Sequence, residues 1–269
     1  MSLSSIIWDV SPVIVKLGSV QVRWYGLLFA LAFLSGYIVL ERFVFRREGL
    51  KVDLLDKLAT YVIIGTVIGA RLGHVFFYEP AYFLSNPAKI FAIWQGGLAS
   101  HGAAIGILLA IWFYTKKTGK SYWWVLDRLV IVVALGGFFI RMGNLMNSEI
   151  YGHFTSLPWG FIYVRDGQSN PRHPTQIYEG LCYLILFFFL LRYYIRNYTT
   201  MREGTIFGIF LIVLFGVRFF IEFLKEPQVG FEANMLLNMG QLLSLPFILF
   251  GIWLLYKNSK EKAVVNKKQ

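Results

Sequence analysis

The stretch "LVIVVALGGFFI", residues 129–140, contains no charged side chain, and "RMGNLMNSEIYG", residues 141–152, follows it directly. The uncharged stretch lies within a longer apolar segment, 123–147, and an apolar helix of about 20 residues crosses the hydrocarbon core of a bilayer. A guanidinium at membrane depth costs a few kcal/mol unless it has a partner. Arg141, at the end of the apolar stretch, therefore indicates a buried partner or a bound anion.

The composition of the whole chain is that of a polytopic membrane protein. The 269 residues are 57% hydrophobic and 15% charged, whereas soluble domains have about 25% charged residues. Mean hydropathy is +0.57. In a soluble protein the net charge of +11 would suggest nucleic acid as a partner. In a membrane protein Lys and Arg collect in cytoplasmic loops and near anionic headgroups, so we expect membrane lipid and no nucleic acid.

The hydropathy pattern predicts an all-α protein with seven transmembrane helices. The predicted spans are 24–44, 58–78, 93–115, 123–147, 176–195, 204–224 and 236–257. If the N-terminus lies outside, sixteen Lys and Arg fall in inside segments and six in outside segments. Cytoplasmic loops carry the excess of positive charge. The N-terminus is therefore predicted outside and the C-terminus in the cytoplasm.

The predicted spans divide the chain into one membrane domain and a tail. Residues 1–257 form the seven-span domain, and 258–269 form a basic cytoplasmic tail. The connection between spans 4 and 5, residues 148–175, is the longest, and long structured loops are usually functional. Because Trp159, Phe161 and Tyr163 alternate there, we expect short strands and a small extracytoplasmic cap over a site.

Polar side chains from every span fall in the outer half of the membrane in this topology. They are Tyr25, Arg71, His101, Arg141, Asn144, Gln176, Tyr178, Glu179, Arg218, Glu222 and Gln241. One such residue can be explained by a side chain that reaches for the interface, but convergence from seven helices indicates a site. Asp127 and Arg128, near the inner end of span 4, are interpreted as an interfacial anchor.

The chemistry of the cluster points to phosphate. Arginine donates paired hydrogen bonds from a planar fork that suits phosphate oxygens, and a phosphate in the outer half of a bilayer belongs to a phospholipid headgroup. Two alternatives stay open. Arg218 and Glu222 have the i, i+4 spacing of a plain intrahelical ion pair. His101 is either a proton acceptor, with small residues around it, or a hydrogen-bonded structural histidine.

Several motifs resemble those of the prolipoprotein diacylglyceryl transferase family. In chain order they are "GARLGHVFFY" (69–78), "GGLASHGA" (96–103), "RMGNLMNSEIYG" (141–152), "RHPTQIYE" (172–179), "RFFIEFLKEP" (218–227) and "MGQLLSLP" (239–246). They stand in the family's order and span most of the chain. One position departs from the pattern: Leu214 stands where members often have a tyrosine, four residues before the arginine that matches Arg218.

The resemblance implies a reaction and a location. The family moves the diacylglyceryl group of phosphatidylglycerol onto the lipobox cysteine of a prolipoprotein signal peptide, forming a thioether and releasing glycerol phosphate. This is the first step of lipoprotein maturation, in the bacterial cytoplasmic (inner) membrane, and it uses no metal or other cofactor.

The resemblance also implies roles for individual residues. Arg141 is expected to contact phosphatidylglycerol, Arg218 to be important with a gating role, and His101 to be a candidate base. The other residues expected to shape the lipid site are Asn144, Asn147, Glu149, Tyr25, Arg71, Gln176, Tyr178, Glu179 and Glu222.

Two other classes of membrane protein compete with a transferase. An anion or lipid transporter also uses intramembrane arginines, but transporters usually show repeated halves or broken helices, and the sequence shows neither. A retinal-binding receptor needs a lysine within the last span, and 236–256 contains none.

Overall fold

The computed structural model describes residues 5–18, 20–93, 96–226 and 235–266. The chain divides into two compact units: Met1–Val39 with Asp127–Gln269, and Leu40–Leu126. These are called the first unit and the second unit below.

Helices dominate the described residues. In chain order they are α1 (Trp24–Val39), α2 (Val52–Phe77), α3 (Pro80–Ser85), α4 (Ser100–Thr118), α5 (Tyr122–Met146), α6 (Thr175–Asn197), α7 (Thr205–Ile221) and α8 (Met239–Asn266). A π-helical turn, Leu40–Phe45, continues α1, and 3-10 turns form Pro87–Phe91, Val164–Asp166 and Glu222–Leu224. The strands are β1 (Ile6–Trp8), β2 (Val13–Leu17), β3 (Val20–Arg23) and β4 (Phe161–Tyr163).

Six helical segments of the described chain are long and apolar enough to cross a membrane. They are Trp24–Phe45, Val52–Phe77, Tyr122–Met146, Thr175–Asn197, Thr205–Leu224 and Met239–Lys260. The protein is thus a multi-pass membrane protein, as predicted. The remaining predicted span, 93–115, contains α4, which begins only at Ser100. Its first turns are rich in glycine and alanine and its last turn holds Lys116 and Lys117, so its hydropathy is lower.

In the second unit, α2 and α4 pack with their backbones in close contact. A Cβ atom added to Gly69 would lie 2.8 Å from the Cα of Gly106, and one added to Gly65 would lie 2.7 Å from the Cβ of Ala110. Glycines at spacing four let membrane helices approach this closely. The spacing of these glycines therefore explains the close packing of α2 against α4.

In the first unit, α7 packs between α6 and α8. The rings of Phe215 and Phe247 stack at 4.3 Å between α7 and α8, and Leu186, Phe187 and Leu190 of α6 are buried. This contact brings the end of α7 and the start of α6 to the same end of the unit, where the site described below is found.

Two small sheets lie outside the long helices. β1 and β4 pair in parallel, with Ile6 opposite Phe161, and β2 and β3 form an antiparallel pair. The indole of Trp8 donates a hydrogen bond of 3.0 Å to the carbonyl of Leu145, near the end of α5. The loop 148–175 therefore contains a strand, as expected, and its partner is a strand near the N-terminus that the sequence did not indicate.

Asp127 and Arg128 are buried and do not form the interfacial anchor expected from sequence. The Asp127 carboxylate accepts hydrogen bonds from the backbone nitrogens of Gly204, at 2.7 Å, and Phe207, at 2.8 Å. The guanidinium of Arg128 lies over the ring of Tyr194, 5.6 Å from its centre. Asp127 thus binds the N-terminal end of α7, whose free N–H groups need acceptors.

Candidate active site

The end of α5 is folded into a tight return. The backbone nitrogens of Asn147 and Ser148 still donate to Gly143 and Leu145, and that of Glu149 donates 3.1 Å to the carbonyl of Asn144. Ser148 and Ile150 have φ angles of 55° and 59°, in the left-handed region that few residues other than glycine adopt. This turn places Glu149 beside the last residues of α5.

Asn144, Asn147 and Glu149 form one hydrogen-bonded cluster beside Arg141. Arg141 donates from Nη1 to the side-chain oxygen of Asn144 at 3.0 Å. Glu149 Oε1 accepts from Asn144 at 2.8 Å and from Asn147 at 3.3 Å. Because Asn144 is itself held by Glu149, its contact with Nη1 favours one orientation of the Arg141 guanidinium. The structure thus brings together the signature residues predicted from sequence.

An ion pair between α5 and α6 holds the other edge of Arg141. The Arg141 Nε contacts Oε2 of Glu179, a carboxylate whose side chain is fully buried. Arg141 also interacts with the hydroxyl of Tyr183, one turn further along α6. A guanidinium has more N–H donors than these contacts use, and 13% of the Arg141 side chain is exposed. Donors therefore remain for an anion.

Lys225 also belongs to this site, although the count of charges in the sequence placed it only among the cations of the connecting segments. Its ammonium lies 2.9 Å from Glu179 Oε1 and 3.2 Å from Glu222 Oε2, and its side chain is 3% exposed. In the sequence, the i, i+3 spacing of Glu222 and Lys225 is the signal that could have indicated this ion pair. Arg141, Glu179, Lys225 and Glu222 are called the buried charge cluster below.

Arg218 is not paired with Glu222, so the intrahelical ion pair considered from sequence is wrong. Glu222 pairs with Lys225, and Arg218 makes no hydrogen bond or ion pair with another residue in the described part of the chain. Its charge acts on the hydroxyl of Tyr183, as that of Arg141 does. The two arginines therefore face one region of the first unit, and the guanidinium of Arg218 has no partner among the described residues.

Gln176 fastens the loop after α5 to the start of α6. Its Nε2 donates 2.7 Å to the carbonyl of Glu149, and its Oε1 accepts from the hydroxyl of Tyr163 at 3.0 Å. Burial raises the pKa of Tyr163 well above its ordinary value, so this hydroxyl remains a donor. Gln176 thus supports the backbone of the signature.

Tyr178 and Tyr25 lie on different sides of the signature. The Tyr178 hydroxyl accepts from the indole of Trp159 at 2.9 Å and lies 3.3 Å from His173 Nδ1. Burial lowers the pKa of His173, which favours its neutral form. The Tyr25 ring fills the space beside Gly143, where an added Cβ would lie 2.7 Å from its Cδ2.

The loop 148–175 is tied to the segment after α7 by a chain of polar contacts. Tyr151 donates to Asp166 and accepts from Gln168 at 2.9 Å. Arg172 donates 2.7 Å to Gln168 and forms an ion pair with Glu226. Burial and the Asp166 carboxylate raise the pKa of Tyr151 to about 12. This chain of contacts holds Glu226, and with it the neighbouring Lys225, against the loop.

The second unit carries the other two predicted residues, Arg71 and His101. Arg71 is buried, and its guanidinium donates to the carbonyls of Ile90 at 2.8 Å and Gly96 at 2.7 Å. His101 is exposed near the start of α4, and its ring stacks on Tyr78 with centres 5.7 Å apart. Arg71 therefore ties the α2–α4 connection to α2, whereas the His101 ring nitrogens have no hydrogen-bond partner among the described residues.

Comparisons with known proteins cover nearly the whole chain. Residues 12–257 match the family model described as "Prolipoprotein diacylglyceryl transferase". Three similar relatives are each named "Phosphatidylglycerol–prolipoprotein diacylglyceryl transferase". The relative from Tolumonas auensis is 48% identical, covering 95% of this chain and 98% of the relative. Those from Porphyromonas gingivalis and Chloroherpeton thalassium are 47% and 44% identical, with 95% and 96% of both chains covered. This chain belongs to the prolipoprotein diacylglyceryl transferase family.

Proposed function

We propose that this protein transfers the diacylglyceryl group of phosphatidylglycerol to the lipobox cysteine of prolipoproteins, the first step of lipoprotein maturation. The observation that carries the proposal is the arrangement of Arg141. Its guanidinium is oriented by Glu179 and by Asn144 at 3.0 Å, and it retains donors for an anion. The names and identities of the relatives support the same substrates.

The proposed topology has seven spans, with the N-terminus outside and the C-terminal tail, 258–269, in the cytoplasm. Six candidate spans support it, with α4 as the seventh crossing. Residues 1–257 then form the transferase domain and 148–175 an extracytoplasmic cap. The contact of Trp8 with Leu145 and the pairing of β1 with β4 support a folded cap at the outer end of α5. The membrane is the bacterial inner membrane.

In the proposed reaction, the cysteine thiolate attacks the glycerol carbon that carries the phosphate ester. A carbon–sulfur bond forms, the carbon–oxygen bond to the phosphate breaks, and its electron pair leaves with glycerol phosphate. A free cysteine has a pKa of about 8.5, so the thiol must lose its proton to a base. We propose His101 as that base, because its ring is exposed and its nitrogens have no hydrogen-bond partner in the described ranges of the chain.

The two arginines have separate roles in this proposal. Arg141 binds the phosphate in the ground state through its fixed fork, since it is already oriented on two sides. Arg218 approaches the phosphate as negative charge develops on the departing oxygen, because its guanidinium is not held by another described group. Donors aimed at the developing charge stabilise a transition state more than the substrate.

The remaining predicted residues shape the lipid site. Asn144, Asn147 and Glu149 orient Arg141, Gln176 supports the signature, and Glu179 and Glu222 balance the charge. Tyr25 packs beside the signature, and Tyr178 lies under the cap. For Arg71 we propose an indirect contribution to lipid binding, through the connection between α2 and α4 that its guanidinium holds.

A transfer assay tests the proposal. Purified protein with labelled phosphatidylglycerol and a lipobox peptide is expected to give a thioether-linked diacylglyceryl peptide, and a peptide with serine in place of cysteine is expected to give none. Arg141→Ala should abolish transfer while thermal unfolding stays close to that of the parent. His101→Gln should slow transfer without changing lipid binding. If the parent protein gives no product from both substrates, the proposed function is wrong.

A further inference from the structure

Lys225 is the most enclosed cation of the site. Its ammonium lies between the carboxylates of Glu179, at 2.9 Å, and Glu222, at 3.2 Å. Side-chain exposure is 3% for Lys225, 0% for Glu179 and 8% for Glu222. A charge so far removed from water is stable only when it is paired.

The backbone at Lys225 is held by the loop after α5. Gly152 and Lys225 form an isolated antiparallel bridge, and the backbone nitrogen of His153 donates 2.8 Å to the carbonyl of Leu224. On the next residue, Glu226 is paired with Arg172 of the same loop. These contacts fix the backbone from which the Lys225 side chain extends, so the fold places the ammonium between the two carboxylates.

Lys225 and Arg141 share one carboxylate. Oε1 of Glu179 faces Lys225 and Oε2 faces Arg141, while Glu222 takes the second side of Lys225. The buried charge cluster thus contains two cations and two anions. Without the lysine, two carboxylates would face Arg141 alone. The excess negative charge would then offset the charge of Arg141 and repel a phosphodiester.

We propose that Lys225 is a positioning residue that neutralises Glu179 and Glu222, keeps Arg141 available to an anion and so makes the site selective for anionic over zwitterionic phospholipids. The inference deepens the proposed function and rests on it for the identity of the lipid. Charge interactions in a site of low dielectric are strong enough to discriminate between headgroups that differ by one charge. Arg218 of the same unit, which has no ion-pair partner in the described part of the chain, adds a further positive charge.

The test compares two lipids on the intact protein. Affinity for phosphatidylglycerol and for phosphatidylcholine is measured by native mass spectrometry, and the ratio of the two affinities is the readout. Lys225→Met is expected to lower the ratio by about tenfold or more, the scale of losing one charge beside a buried anion site. Lys225→Arg keeps the charge and should stay within about twofold of the parent. Lys16→Met, an exposed lysine of β2, is the matched control and should change nothing.

Steady-state kinetics distinguish a positioning role of Lys225 from a loss of the folded structure. Lys225→Met should raise KM for phosphatidylglycerol by a larger factor than it lowers kcat, because ground-state anion binding is what is lost. The double variant Lys225→Met with Glu222→Gln removes one cation and one anion. It should recover most of the affinity ratio, whether or not the single variant folds.

Three results would overturn the inference. The first is an affinity ratio in folded Lys225→Met that equals that of the parent. The second is an equal loss of affinity for both lipids in that variant. The third is an affinity ratio that stays low in the folded double variant. The binding readout does not require turnover. A parent protein that prefers phosphatidylglycerol but transfers nothing would contradict the proposed function alone, whereas transfer with an unchanged ratio in Lys225→Met would contradict the role of Lys225 alone.

Discussion

The carboxylate of Asp127 lies 2.7 Å from the backbone nitrogen of Gly204, the residue that precedes α7. Its second oxygen accepts from the backbone nitrogen of Phe207 at 2.8 Å. A negative charge at a helix N-terminus is favoured by the helix dipole and satisfies N–H groups that have no partner within the helix. Arg218 lies near the opposite end of the same helix. A residue remote from the site therefore fixes one end of the helix that carries the arginine.

Replacing Asp127 is expected to lower stability. In Asp127→Asn one carboxylate oxygen becomes an NH2 group, which cannot accept from a backbone N–H and leaves a buried donor unpaired. The expected loss is about 1–3 kcal/mol, measured as a lower midpoint of thermal unfolding in detergent. Asp53→Asn is the matched control, because Asp53 is exposed and pairs with the exposed Lys57 at 2.7 Å. That variant should lose about 0.5 kcal/mol or less. Equal losses in the two variants would contradict the capping role.

The residues of the site were predictable where they lie within or directly after apolar helices, and less so in the connections between helices. Arg141, Asn144 and Glu179 stand out because polar groups inside spans are costly. Lys225 was counted with the outside cations, since a charge count treats every lysine alike and the bridge to Gly152 joins residues far apart in sequence. β1 has only three residues, Ile6–Trp8, and pairs with β4. A strand so short shows no usable alternation.

α2 and α4 lie so close together that a side chain added to a glycine between them would force the helices apart. Gly69→Ala would place a Cβ 2.8 Å from the Cα of Gly106, so the helices must separate. We expect a loss of about 1–3 kcal/mol, the usual cost of overpacking. Gly216→Ala on α7 is the control, because among the described residues its added Cβ would meet nothing within 4 Å beyond its own stretch of α7. That change should be neutral or stabilising by up to about 1 kcal/mol, since alanine favours helix. The midpoints of thermal unfolding of the two variants test this prediction. A Gly69→Ala variant more stable than the parent would contradict the close contact between α2 and α4.

Ser148 combines two unfavourable features. Its φ is 55°, and its buried hydroxyl has no hydrogen-bond partner among the described residues. Ser148→Gly removes both features. The resulting gain in stability is expected to exceed the loss that comes from the greater conformational entropy of glycine in the unfolded chain. We expect stabilisation by about 1 kcal/mol. Ser156→Gly, an exposed position in the same loop, should instead be neutral or slightly destabilising. Unfolding midpoints measured side by side test this, and a lower midpoint for Ser148→Gly would show that the hydroxyl has a stabilising partner.

The shape of the Arg141 side chain is expected to matter more than its charge. Nε contacts Glu179 while Nη1 donates 3.0 Å to Asn144, and the donors that remain in the same plane are free for a phosphate. Lysine carries a point charge that cannot serve two fixed acceptors and a phosphate at once. Arg141→Lys should therefore keep the fold, since the positive charge beside Glu179 is retained. We expect it to lower kcat/KM for phosphatidylglycerol by about 100-fold, the scale of losing one charge-assisted hydrogen bond to the bound phosphate.

The matched control for Arg141→Lys is Arg165→Lys, because Arg165 is half-exposed and pairs with Asp9 at 2.8 Å. Exposed ion pairs contribute little, so this variant should keep nearly all transfer activity. Both variants are compared in the peptide transfer assay, with unfolding midpoints recorded on the same preparations. Near-normal transfer by Arg141→Lys would mean that charge alone suffices at this position. The hydrogen bonds that orient the guanidinium would then contribute to the stability of the α5–α6 contact and not to phosphate recognition.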